Sequence, residues 1–337
     1  MTDMVQQSVP ATVSCQKAEK TAERVVMRYS FFLLVAVVFV ALAILRPSFT
    51  TLGNIHGILL STSIAGLMFL GLTWIIAAGE IDVSFMSVAA LANMAVAGLV
   101  STGVGWPIAV LGGLGVGIVF GVLNATLVAV FRLPALVITI ASGALAASLA
   151  AAIGKGTSIS LASTGFVGAI LDARIVGAIP LLAVIVGLLY VVAWVLQEKL
   201  TFGRYIYAME QNREAVVEAG IPVTRLMFLL FVLSGIGSAM AGVLLSANLS
   251  SGQPYLGNSY FFDGLTAVLL GGMALKFGKP NVLGTLAAVL FLVGLLNGAA
   301  LLGWTDSERQ IIRGSLLLIG VGLVVLARTR TNRRNLS

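Results

Sequence analysis

Apolar residues occur along most of this chain in long continuous runs, separated by short polar stretches. Continuous runs are typical of transmembrane helices, whereas the strands of membrane barrels alternate over roughly ten residues. The pattern predicts an all-α polytopic membrane protein. We expect about ten transmembrane helices, at residues 28–45, 55–78, 83–101, 106–131, 134–153, 174–196, 224–247, 262–276, 280–303 and 309–327.

Composition supports this class. The chain is 59% hydrophobic and 10% charged, with a mean hydropathy of +1.06, whereas soluble domains carry about 25% charged residues. The net charge of +7 does not indicate a nucleic-acid partner. Its Lys and Arg residues lie at the ends of spans, where membrane topology explains them.

The basic residues also predict the orientation. An even number of spans puts both termini on one side, and a cytoplasmic placement leaves 15 of the 20 Lys and Arg residues inside, as the positive-inside rule favours. We expect a cytoplasmic tail at 1–27, a transmembrane domain at 28–327 and a basic cytoplasmic tail at 328–337. The polar segments 154–173 and 248–261 then face outward. They could cap a pore, contact an external partner or serve only as flexible connectors.

One internal loop is unusually polar. Residues 203–220 are charged and helix-forming, between two hydrophobic spans. Gly203 and Gly220 predict the ends of a cytoplasmic helix, because glycine leaves helical geometry at little cost, and Pro222 prevents its continuation. Tyr205, Met209 and Val216 would offer apolar contacts to a soluble partner. The alternative is a merely solvated loop.

Small residues repeat at four-residue spacing in two of the predicted spans. Stripes of this kind let helix backbones approach closely in a membrane, so we expect them to pack the bundle. They are Gly113, Gly117 and Gly121 in the fourth span, and Ser234, Ser238 and Gly242 in the seventh.

Polar residues at membrane depth are candidates for function. Asn93, Asn124 and Asn297 could line a path through the bundle, because uncharged amides exchange hydrogen bonds with a polar cargo without trapping a charge, or they could only bond neighbouring helices. Glu80 and Asp82 lie in a glycine-flanked turn, and Asp263 begins the eighth span. These acidic turns could hold the structure together or contact a substrate.

Catalytic signatures are missing from the sequence. Gly278-Lys-Pro280 lacks the Ser or Thr of a phosphate-binding loop, and Met273 stands at its first glycine position. His56 is the sole histidine, which excludes a Ser-His-acid set and a histidine-rich metal site. We therefore expect no enzyme activity, no cofactor and no bound metal.

Several motifs together resemble the permease subunits of bacterial ATP-binding-cassette (ABC) importers for monosaccharides, the family of the ribose, xylose and arabinose permeases. Gly79-Glu-Ile-Asp-Val-Ser-Phe-Met-Ser87 fits the family segment after the second span, with Met86 replacing a glycine. Gly203-Arg-Tyr-Ile-Tyr-Ala208 is intact, and Glu214-Ala-Val-x3-Gly220 matches the ATPase-coupling signature, with Val216 for an alanine. Ser251-Gly-Gln-Pro254 is also present, whereas residues 276–280 replace a glycine-rich turn.

The resemblance implies a type II ABC importer permease-like bundle in the bacterial inner membrane. It further implies an ATPase subunit with two nucleotide-binding domains that use ATP and Mg, a periplasmic sugar-binding protein and a second permease subunit, identical or related. The residues that match the coupling signature or its flanks are Gly203, Arg204, Glu214, Ala215 and Gly220.

Three other functions stay open at this point. An ion-coupled secondary carrier would explain the carboxylates but not the coupling-like segment. A membrane-embedded enzyme lacks catalytic residues. A branched-chain amino-acid ABC permease shares the architecture, although the intact motifs at 203–208 and 251–254 favour the sugar branch.

Overall fold

The computed structural model describes residue 29, residues 31–276 and residues 278–335, with side chains as far as residue 322. The predicted tail at 1–27 lies outside the described residues. The last helix continues to residue 335, through most of the segment predicted as the tail 328–337.

Helices dominate the described part of the chain, with the following bounds: α1 Phe31–Leu45, α2 Leu52–Ala77, α3 Phe85–Ser101, α4 Trp106–Ala125, α5 Ala135–Ile153, α6 Gly165–Asp172, α7 Leu181–Glu198, α8 Thr201–Gln211, α9 Arg213–Glu218, α10 Val223–Asn248, α11 Gly257–Gly271, α12 Val282–Leu301 and α13 Asp306–Asn335. A 3₁₀ turn at Pro47–Thr50 precedes α2, and a π-helical turn at Thr126–Val130 extends α4. The strands β1 (Ile159–Ser160) and β2 (Ser251–Gly252) are the exceptions to the all-helical prediction.

Each of the ten predicted spans coincides with a helix over most of its length. Among the residues whose structure is described, six helices are long and apolar enough to cross a membrane, namely α2, α4 with its extension, α5, α7, α10 and α12, while α1 and α3 are shorter apolar helices. The polytopic helical fold is confirmed, and the count of ten transmembrane helices stays a prediction. The predicted span 174–196 begins late, at Leu181, because Arg174 and Pro180 form a β-bridge first.

Helix α10 lies at the centre of the bundle, against α2, α3 and α4. Small residues allow these contacts: a Cβ on Gly71 would overlap the backbone of Ser234, one on Gly117 would overlap the carbonyl of Gly235, and one on Gly242 would overlap Ala89. The predicted packing role of these small-residue stripes is confirmed. Close backbone approach is how helices associate where water provides no driving force.

The two polar segments predicted to face outward form one hydrogen-bonded unit. Strand β1 of the first pairs antiparallel with β2 of the second, with Ile159 opposite Gly252. Asn93 of α3 fixes this unit to the bundle. Its Nδ2 donates to the Ser251 carbonyl at 3.2 Å, and its Oδ1 accepts from the Gln253 N–H at 2.7 Å.

The turn between α2 and α3 is held by a buried carboxylate. Asp82 accepts hydrogen bonds from the N–H and hydroxyl of Ser84, at 2.8 and 2.6 Å, and from the Ser234 hydroxyl at 2.8 Å. Asn124 of α4 donates to the Ser84 hydroxyl at 2.8 Å. Asp82 thus joins the α2–α3 turn to α10 and, through Ser84, to α4.

Replacing Asp82 by alanine should lower the free energy of unfolding by about 2–5 kcal/mol, because buried donors lose a shared acceptor. Thermal unfolding in detergent measures the loss. The matched control is Asp306→Ala at a 93% exposed side chain, with an expected change within about 0.5 kcal/mol. Equal stability of Asp82→Ala and the unmodified protein would contradict this role.

Candidate functional site

The segment 203–220 contains two helices rather than the single helix predicted. Helix α8 ends at Gln211 and α9 begins at Arg213. Between them Asn212 is extended, with φ −156° and ψ 95°, and its side-chain oxygen accepts from the Ala215 N–H at 3.0 Å. Asparagine favours this capping conformation over the helix interior, which explains the break.

The two glycines of this segment have different roles. Gly203 lies inside α8, where a Cβ would overlap the carbonyl of Gln197, so it permits close contact with the end of α7 and does not end a helix. Gly220 does follow the end of α9, with φ +76° and its N–H bonded to the Val217 carbonyl at 2.9 Å. Gly220 therefore marks the end of a helix, as predicted. The prediction that Gly203 marks the other end is wrong.

Helix α8 is fixed to the bundle through Tyr207. The Tyr207 hydroxyl donates to the Pro280 carbonyl at 2.8 Å and accepts from Gln197 Nε2 at 3.0 Å, while Gln197 Oε1 accepts from the Val282 N–H at 2.9 Å. Burial and the nearby Glu198 carboxylate raise the pKa of Tyr207, which keeps its hydroxyl protonated as a donor. The ends of α7 and α12 thus hold α8 in place.

Helix α9 is attached to the α2–α3 turn. Arg213 Nη1 lies 2.8 Å from Glu80 Oε1, and Gly79, with φ +87°, packs against the Cα of Glu210. The same turn contains Asp82, which bonds to α10. The α2–α3 turn therefore links α8 and α9 to α10.

The outer face of α8 and α9 is polar and accessible. Arg204, Glu214, Ala215 and Gly220 are exposed, as a docking role requires. Met209 and Val216 are buried against the bundle, so the prediction that they contact a partner was wrong. Val217 is 55% exposed instead and lines a groove of about 480 Å³. The groove also contains Arg132, Arg213, Glu214, Glu218 and Thr224.

The three amides predicted to line a path lie in different environments. Asn93 and Asn124 are fully or almost fully buried and bonded to neighbouring segments, at β2 and Ser84. Asn297 lies in α12 at the wall of a cavity, and its Oδ1 has no hydrogen-bond partner among the described residues. The contacts of Asn93 and Asn124 position other elements, although Asn124 Oδ1 also has no partner among the described residues, and of the three amides Asn297 lines the cavity.

Asp263 lies in α11 beside the same cavity. Its Oδ1 accepts from Nε of Arg313 in α13 at 2.9 Å, and the two side chains are 15% and 20% exposed. Sequence reasoning missed Arg313, although an arginine one turn after Arg309 in an apolar helix was a signal for a partner. No group of three or more His, Cys, Asp or Glu side chains that could hold a metal ion occurs in the described part of the chain.

Comparisons with known proteins agree with these features. Residues 54–321 match the family model described as the permease component of the branched-chain amino acid transport system. The ribose import permease protein of Bacillus subtilis is 33% identical over 290 residues, covering 86% of this chain and 90% of the relative. No solved structure matches.

Two further relatives extend this likeness. The ribose import permease protein of Escherichia coli K12 is 32% identical over 285 residues, 82% of this chain and 87% of the relative. The L-arabinose transport system permease protein of the same strain is 32% identical over 294 residues, which cover 87% of this chain and 89% of the relative. The resemblance to sugar permeases is confirmed, and this chain belongs to the family of transport-system permease components.

Proposed function

We propose that this chain is the membrane-spanning subunit of an ATP-driven importer that moves a monosaccharide or a related small polyol across the bacterial inner membrane. The observation that carries the proposal is the exposed α9 surface, which is joined by Arg213 and Glu80 to the α2–α3 turn. The sugar permeases among the relatives support the class of cargo.

The chain itself acts as a conduit and not as an enzyme in this proposal. A separate ATPase subunit with two nucleotide-binding domains hydrolyses ATP with Mg. A periplasmic binding protein delivers the sugar, and a second permease subunit, identical or related, completes the transmembrane path. The fold contributes the bundle and the surface that the ATPase moves.

The docking surface is formed by Arg204, Glu214, Ala215 and the left-handed turn at Gly220, with Val217 as its exposed apolar contact. A short helix with defined ends seats in a groove on a partner as a unit. Gly203 acts at the base of this unit, where it lets α8 lie directly on Gln197. Closure of the ATPase would then shift α8 and α9 together, and this movement would be transmitted to α2, α3 and α12.

Reversal of charge at Glu214 should uncouple the transporter without unfolding it. Glu214 is exposed and has no role in packing, so Glu214→Lys should insert normally but reduce both ATPase co-purification and uptake about tenfold or more, as the loss of an interfacial charge pair does. Gly220→Val should act similarly, because β-branched residues are strained at φ +76°. Asp172→Lys, at an exposed acid on α6, is the matched control. Unchanged co-purification and uptake in both variants would remove the docking role.

The orientation follows from the basic residues and is tested by labelling. In a Cys15→Ser background, Gln211→Cys lies at the last residue of α8, and Ser158→Cys lies directly before β1; both sites are exposed. A membrane-impermeant maleimide added to intact spheroplasts should label Ser158→Cys alone, with Gln211→Cys reacting only after lysis. Labelling of Gln211→Cys from outside would reverse the orientation and exclude a cytoplasmic docking role.

A further inference from the structure

A cavity of about 490 Å³ lies among α2, α11, α12 and α13. It follows α2 from Gly57 to Phe69 and the later part of α12, whereas α8 and α9 lie beside the end of α2 and the start of α12. The cavity and the docking surface therefore lie towards opposite ends of the bundle. The proposed orientation places the cavity on the periplasmic side. Its volume falls within the range of about 300–1,000 Å³ that is usual for small-molecule sites.

The charged groups in this cavity form ion pairs, and some of their atoms remain available for further hydrogen bonds. Arg313 Nε donates to Asp263 Oδ1, while no hydrogen bond among the described side chains uses the second Asp263 oxygen or the two terminal nitrogens of Arg313. Arg309 pairs with Asp306 at the exposed end of α13. Asp306 lies outside the cavity, but each arginine of the lining thus has a carboxylate partner, which favours a neutral ligand over an anion.

Other lining groups supply an acceptor and an apolar wall. Asn297 lies in the wall of the cavity and contributes an amide to its lining. The rings of Phe69 and Tyr260 lie 6.5 Å apart, edge to face, beside the same space. A ligand that suits this cavity has both hydroxyl groups and an apolar C–H face.

We propose that this cavity binds a neutral monosaccharide within a single permease subunit. Asp263 and Arg313 hold ring hydroxyls, Asn297 bonds a further hydroxyl, and Phe69 and Tyr260 face the C–H side of the ring. This inference rests on the proposed importer function and adds to it a site where the permease itself selects its cargo after release from the binding protein.

The paired carboxylate and guanidinium suit transient binding. Each partner can bond a hydroxyl through atoms that the ion pair leaves open, so neither charge is left unpaired when the sugar departs. A lone carboxylate at membrane depth would carry a desolvation cost in each empty state. A paired site can therefore fill and empty in every cycle.

Protection of an engineered thiol tests this site. Ser61 is exposed and lines the cavity, so Ser61→Cys in the Cys15→Ser background reports its occupancy. The probes are D-ribose, L-arabinose, D-xylose and D-galactose, with D-ribonate as the charged analogue, applied to the complete transporter in proteoliposomes. We expect at least one aldose to slow maleimide labelling about fivefold or more and D-ribonate to leave it unchanged. Thr102→Cys, exposed but outside the cavity, should not respond to any of them.

Variants link the protection to the named residues. Arg313→Gln should raise the half-protecting sugar concentration about tenfold, and Asn297→Ala about threefold, in line with the strengths of charged and neutral hydrogen bonds. Asn248→Ala, at an exposed asparagine outside the cavity, should leave the half-protecting concentration unchanged. Asn297→Ala keeps the ion pair, so it remains informative if Arg313→Gln assembles poorly.

The outcomes separate this site from the importer function. If no aldose protects Ser61→Cys while ATP-driven uptake persists, the cavity proposal fails and the importer stands. Protection by D-ribonate alone would overturn the neutral class of ligand. Protection that persists in Asn297→Ala and Arg313→Gln would place the sugar elsewhere.

Discussion

Direct contact between helix backbones at small residues is the constraint on which the rest of this structure depends. In a bilayer, apolar side chains gain little by leaving lipid, so stable association requires close packing and internal hydrogen bonds. Helix α10 meets this requirement on several sides, with Ser234 against Gly71, Gly235 against Gly117 and Gly242 against Ala89. A larger side chain at any of these glycines would separate α10 from a neighbour.

The same helix connects the two ends of the molecule. Ser234 bonds Asp82 in the α2–α3 turn, and that turn holds α9 through the ion pair of Glu80 with Arg213. At the other end, α2 and α12 form the wall of the polar cavity. The exposed surface of α8 and α9 and the cavity are thus joined by continuous, tightly packed helices. In the proposed importer, these helices are the route by which closure of the ATPase alters access to the cavity.

Local patterns predicted the helices well, because hydrophobic length and glycine spacing depend on the chain alone. The stripes at Gly117 and Gly242 and the end of α9 at Gly220 belong to this class. The features that were missed depend on tertiary contacts: Gly203 faces the carbonyl of Gln197, and Asn93 bonds a segment more than 150 residues away. The break at Asn212 had a local signal, an asparagine before an acidic first turn, but the surrounding helix-forming residues outweighed it.

The dependence of sugar uptake on the ATPase is the most direct test of the proposed function. The measurement is uptake of a labelled aldose into proteoliposomes that contain this chain, its ATPase subunit and the binding protein, with ATP or with an imposed proton or sodium gradient. The importer proposal predicts uptake that requires ATP and the ATPase and does not respond to either gradient. Uptake by this chain alone under an ion gradient would contradict it and identify a secondary carrier.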